Sequence, residues 1–68
     1  MNRIKNLYGV IDCDNIVRVS NRRQGEVFKG YFDEMPTEIG EYLVVVIRSA
    51  FDPDTNMTMI EIKATENH

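Results

Sequence analysis

The chain has 68 residues and a mass of 7.9 kDa; 43% of its residues are hydrophobic and 28% charged, the formal net charge is −3 and the pI is near 4.9. This profile fits one small globular domain over residues 1–68 and excludes a charge-rich disordered tail. The longest unbroken apolar run, Tyr42 to Ile47, has six residues, far short of the roughly 20 that span a bilayer as a helix.

Ordering so short a chain costs about 1.5 kcal/mol per residue, which a small core barely offsets. Cys13 is the only cysteine, so an intrachain disulfide is impossible. No metal-ligand set is visible either. Self-association, as a homodimer or larger homo-oligomer, or binding to a protein partner is the support to expect. The N-terminal stretch Met1 to Gly9 has basic residues but no apolar run of the length a secretory signal needs. Together with the lone thiol this predicts a cytoplasmic location.

Leu7 to Ile11 is apolar and Asp12 to Asn15 favours a turn, which predicts a first strand leading into a second at Ile16 to Ser20. Gly9 weakens the first of these. The polar turn Asn21 to Gly25 precedes a strand at Glu26 to Phe32, where Phe28 and Phe32 share a face and are expected in the core. Pro36 suits a helix start and Gly40 a helix exit, so one short helical turn is expected between them. Tyr42 to Phe51 is rich in β-branched residues, Asp52 to Asn56 has turn chemistry, and Met57 to Thr65 alternates, which predicts a long hairpin. Strict alternation places Leu43, Val45 and Ile47 on one face and Val44 and Val46 on the other. The predicted fold is mainly β: a small antiparallel sheet or meander of four to five strands with one short helical turn. A strand apolar on both sides implies a dimer or a sheet curled toward a barrel.

Catalytic equipment is not legible. His68 is the last residue, Cys13 sits in a predicted turn with no activator nearby in sequence, and no enzyme, cofactor or metal site is expected. Asp52, Asp54 and Asn56 have the spacing with which a calcium loop begins. Met57 and Lys63 then stand where such a loop needs glycine and a bidentate acid, so the segment reads as a polar hairpin turn. Arg18, Arg22, Arg23 and Lys29 form a basic patch without a glycine-rich phosphate cradle. Phe28, Tyr31 and Phe32 suggest a base-stacking platform, but the negative net charge and the core-facing phenylalanines weigh against nucleic acid.

Charge is unevenly distributed: net +3 over residues 1–32, −4 over 33–41 and −2 over 42–68. The acidic segment carries Asp33, Glu34, Glu38 and Glu41, four carboxylates within nine residues. Such a set mimics spaced phosphates and suits a basic groove, with Tyr31 or Tyr42 as anchors.

The stretch Gly25-Glu26-Val27-Phe28-Lys29-Gly30-Tyr31-Phe32-Asp33-Glu34-Met35-Pro36, followed by Tyr42 to Ile47 and Ile60-Glu61-Ile62, resembles small orphan accessory proteins of phages and mobile elements of Gram-positive bacteria. In those, a strand ending in a Gly-Tyr, acid and Met-Pro run leads through a turn into a hairpin. The resemblance covers about half the chain, and residues 1–15 fall outside it. It implies an accessory or anti-defence role, anti-CRISPR inhibitors being one group of comparable size, and it assigns no functional residue.

The function expected is therefore a non-enzymatic protein-binding module, an inhibitor of a nucleic-acid-handling host defence protein by direct contact through Asp33, Glu34, Glu38, Glu41, Tyr31 and Tyr42. The alternative is a small nucleic-acid-binding or regulatory protein using Arg18, Arg22, Arg23 and Lys29. A third reading is a structural subunit of a larger assembly.

Overall fold

The computed structural model describes residues 2–12 and 14–66. Cys13 and His68, the candidates considered above for nucleophile and base, lie outside the described residues, as do Met1 and Asn67. A 3₁₀ turn at Ile4–Leu7 precedes β1 (Ile16–Asn21) and β2 (Gly25–Tyr31). A second 3₁₀ turn at Phe32–Glu34 and a one-turn helix, α1 (Thr37–Gly40), lead to β3 (Leu43–Asp52) and β4 (Met57–Thr65). The protein is mainly β, with the strands in one four-stranded sheet of order β2-β1-β4-β3.

Two antiparallel hairpins build this sheet, β1 with β2 and β3 with β4. They join through β1 and β4, which run parallel with Val17 opposite Ile60 and Val19 opposite Ile62. The central pairing thus departs from the all-antiparallel meander expected from the sequence. The reason is the crossover through residues 32–42. It carries the chain from one edge, β2, to the other, β3, and leaves the two apolar inner strands, β1 and β4, to pair.

The segments flanking the sheet cover one face of it. Ile4, Ile11, Phe32 and Met35 from these segments pack on Val17, Val19, Ile62 and Ala64 from the central strands. A second difference from the sequence reading lies in this cover: Leu7 to Ile11 is no strand. Gly9 takes φ +90°, and the amides of Val10 and Ile11 both donate to the Leu7 carbonyl at 2.9 Å. The chain is wound, so Ile4 and Ile11 point into the core with Leu7 packed against it. The turn at Asp12 to Asn15 does form, closed by the Asn15 amide donating to the Asp12 carbonyl at 3.1 Å.

Turn chemistry sets the hairpins. The Gln24 amide donates to the Asn21 carbonyl at 3.2 Å, and the Asn21 side chain accepts from the Arg23 amide at 2.7 Å. Gly25 then re-enters the strand at φ +75° with open space around its Cβ position. Gly25→Ala is therefore expected to lower stability by about 1–2 kcal/mol through backbone conformation alone, measured as a shift in urea midpoint with an unchanged slope. In the other hairpin Asn56 takes the left-handed conformation at φ 57°, which asparagine tolerates better than most residues.

A bulge at Val45 overturns the expected alternation along β3. Val44 pairs with Ala64 and Val46 with Lys63, so one residue is extra. Val44 and Ile47 consequently share the core face with Ala64 and Ile62, and Val46 lies on the opposite face with Lys63. Phe32 also falls just past the end of β2, although it is fully buried as expected.

Candidate protein-binding site

The uncovered face of the sheet is organised by charge. Register places Lys29, Arg18, Glu61 and Arg48 in one row across all four strands. Glu61 is only 4% exposed and accepts from Arg18 Nη2 at 2.6 Å and Arg48 Nε at 2.7 Å. The Arg48 guanidinium, with Arg18 beside it, holds the Glu61 carboxyl below its ordinary range. Lys29 reaches to Asp52, buried at the end of β3, at 3.0 Å, and to Asp54 at 3.2 Å. The hydrogen bond from Lys29 depresses Asp52, helped by donation from the Thr55 hydroxyl and the Asp54 amide. The same bond raises Lys29.

The Lys29–Asp52 contact has a topological consequence. Lys29 lies on β2 and Asp52 on β3, the two edges of the sheet, so the long β3–β4 hairpin curls across this face until side chains tie one edge to the other. Ile16 and Met59 are buried as well, outside the main core. The curled sheet anticipated from the sequence is thus realised through side chains and not through a closed backbone ladder.

These pairings redistribute the candidate residues. Of the basic set, Arg18 is held by Glu61, with Glu26 at 3.8 Å, and Lys29 is held by two aspartates. Arg22 and Arg23 are exposed at the β1–β2 turn. Arg22 also lines a groove of about 480 Å³ with Ser20, Val45, Lys63 and Thr65. The stacking platform is dismantled because Phe32 is buried, stacked on Tyr8 at a centroid distance of 4.5 Å.

The acidic set divides as well. Glu41 is bound by Lys5 at 2.8 Å with Arg3 nearby, and Lys5 holds its carboxyl low. Tyr42 packs against the core and its carbonyl accepts from the Ile4 amide at 3.0 Å. Glu38 is exposed on α1. Tyr31, Asp33 and Glu34, by contrast, converge.

Their placement follows from the 3₁₀ turn. Phe32 and Met35, three residues apart, both point into the core and force Asp33 and Glu34 outward. The Phe32 amide donates to the Asn15 carbonyl at 3.1 Å, drawing the 12–15 turn alongside. Asp14 therefore joins Tyr31, Asp33 and Glu34 around an open recess of about 500 Å³, and Met57 completes it from the curled hairpin. None of the three carboxylates has a cationic partner among the described residues. Tyr31 and Met57 are about half exposed, at 47% and 50%.

Asp14 and Met57 escaped the sequence reading because a backbone bond and a curled hairpin bring them in. Neither leaves a local signal. Among the described residues no group of three or more His, Cys, Asp or Glu side chains is placed to hold a metal ion, and no helix is long and apolar enough to cross a membrane. Comparison with protein-family models, with curated proteins and with solved structures found no match to this chain.

Proposed function

We propose that this protein is a non-enzymatic binding module that docks the recess of Asp14, Asp33 and Glu34, with Tyr31 and Met57 as apolar anchors, onto a basic surface of a protein partner. The observation that carries this reading is selective pairing. Glu41, Asp52 and Glu61 are each engaged by lysine or arginine, whereas the three recess carboxylates have no such partner among the described residues and sit beside exposed apolar groups. Unpaired like charges next to an aromatic and a thioether suit a cationic protein surface, where charge steers encounter and the apolar groups provide buried contact. A groove that normally receives nucleic acid is the partner surface this spacing of carboxylates imitates. On that basis, and in line with the resemblance to phage and mobile-element accessory proteins, the proposed role is inhibition of a nucleic-acid-handling defence protein by occupation of its groove in the host cytoplasm.

The experiment is capture from nuclease-treated host lysate, comparing Asp33→Lys/Glu34→Lys with Arg22→Glu/Arg23→Glu. All four positions are exposed, so both variants are expected to keep the parent melting temperature. The acidic reversal is expected to weaken partner recovery at least tenfold, and raising salt should weaken the parent's binding too. Retained binding in that variant with loss in the arginine variant, or recovery by the parent only from lysate that has not been nuclease-treated, would replace this reading by nucleic-acid binding through Arg22 and Arg23.

A further inference from the structure

The longest strand, β3, lies at an edge of the sheet and carries a run of exposed apolar side chains: Val45, Val46, Ile47 and Phe51, the last 60% exposed. An edge of this kind is a template for another strand unless charge, proline or cover blunts it. The opposite edge, β2, is shorter and carries Glu26, Lys29 and two glycines. On β3 the N-terminal segment covers only the beginning. The Val44 amide donates to the Asn2 carbonyl at 2.8 Å, the Tyr42 carbonyl accepts from the Ile4 amide, and Arg3 bridges Leu43. Beyond the Val45 bulge the edge has no partner among the described residues.

We propose that a second copy of this chain pairs there, β3 antiparallel to β3 about a two-fold axis at Ser49. The pairing pattern of the strand selects this register. Arg48, Ala50 and Asp52 face Glu61, Met59 and Met57 of β4. Because the amide of Val44 points outward and the bulge adds one residue, the backbone groups of Ile47, Ser49 and Phe51 are the ones directed away from β4. A partner strand must therefore present the same odd positions in return.

Three symmetric registers do so with two or more of these positions paired. Centred on Arg48, the pairing sets two arginines directly opposite each other, which is unfavourable. Centred on Ala50, it sets Ile47 against Pro53, which has no amide to donate. Centred on Ser49, it sets Ile47 against the partner's Phe51 twice over, a β-branched residue against an aromatic, and Arg48 against Ala50. The ladder also ends cleanly there, because the Val45 bulge meets the partner's Pro53 at each end. Ile47 and Phe51 lie on the same face as Val17 and Ile62, beyond the covering layer, so pairing extends the apolar core across the axis.

The interface is an edge plus two residue pairs, so it falls at the low end of specific interfaces, below about 1,200 Å² in total. Association is expected at micromolar and not nanomolar concentration. Sedimentation equilibrium on the full chain should show the weight-average mass rising from 7.9 kDa toward twice that value as concentration increases. Phe51→Glu and Ile47→Lys, each at a half-exposed position, should give monomers with the parent's circular dichroism. Combining them should restore the dimer, because only the Ser49-centred register sets the lysine introduced at position 47 of one copy against the glutamate introduced at position 51 of the other. A parent that stays monomeric to high micromolar concentration overturns the proposal, as does a dimer indifferent to Phe51→Glu or one that the combined variant fails to restore.

Discussion

Replacing Phe32 by alanine is expected to leave the protein largely unfolded at 25 °C. Phe32 is fully buried, and truncating a buried phenylalanine costs about 3–5 kcal/mol in lost burial and residual cavity. A domain of this size rarely has more than about 3–5 kcal/mol to lose. The loss would also spread, because Tyr8 stacks on the Phe32 ring and donates its hydroxyl to the Phe32 carbonyl at 3.2 Å. Without the ring, the N-terminal cover and the 3₁₀ turn carrying Asp33 and Glu34 lose a common anchor. Phe32→Leu, which keeps most of the volume, should retain the fold with a lowered urea midpoint. Circular dichroism of both variants checks this, and a cooperative native-like melt for Phe32→Ala would show that Phe32 is not the anchor described.

The second large effect concerns Glu61. Removing one arginine leaves the other in place, so Arg18→Met or Arg48→Met alone should be mild. The double variant strands a carboxylate that is 4% exposed, and leaving a buried charge uncompensated costs about 3–5 kcal/mol. The two substitutions should therefore be strongly non-additive in a double-mutant cycle.

The pH dependence follows from the same pairs. Glu61 and Glu41 titrate below their ordinary 4.5 and Asp52 below its 3.8. A depressed carboxyl stabilises the fold above its unfolded pKa, and this stabilisation is lost as pH falls through the folded value. Lys29 is raised above 10.5, so its contribution is complete below that value and is lost as pH rises through the folded pKa. The urea midpoint should be flat near neutrality, fall on going from pH 5 to pH 3, and fall again above pH 10.5. In Arg18→Met/Arg48→Met the Glu61 contribution should reverse, because an unpaired buried carboxyl is raised and is relieved by protonation. An unchanged midpoint at pH 3 in the parent would show that these pairs add nothing to stability.

Local pattern accounts for the elements themselves. The β-branched runs at Ile16 to Ser20 and Tyr42 to Phe51, the alternation from Met57 to Thr65, and Pro36 with Gly40 specified strands and a helical turn close to where they lie, since propensity and turn chemistry act over a few neighbouring residues. That Phe32 is buried in the core and Phe28 packs against it was legible for the same reason. Leu7 to Ile11 misled because an apolar run of five is compatible with a strand or with a wound segment. The spacing of Ile4, Leu7 and Ile11 has meaning only once there is a sheet face to cover.

What local pattern left open in the candidate site depended on contacts between residues distant in sequence. Alternation along β4 sets Glu61 on the face of Met57, Met59 and Lys63, yet its burial required Arg48 from the other strand of the same hairpin and Arg18 from β1, and Arg18 comes alongside only through a parallel β1–β4 pairing that no local signal encodes. Glu41 and Asp33 are equally acidic in sequence. Tertiary structure separated them by giving Glu41 Lys5 from 36 positions away and by pointing Asp33 outward over buried Phe32, beside Asp14 and Met57. Side-chain chemistry, in short range, decides what each segment is, whereas charge neutralisation acts through space and is decided only when the folded chain has chosen which carboxylates meet a cation.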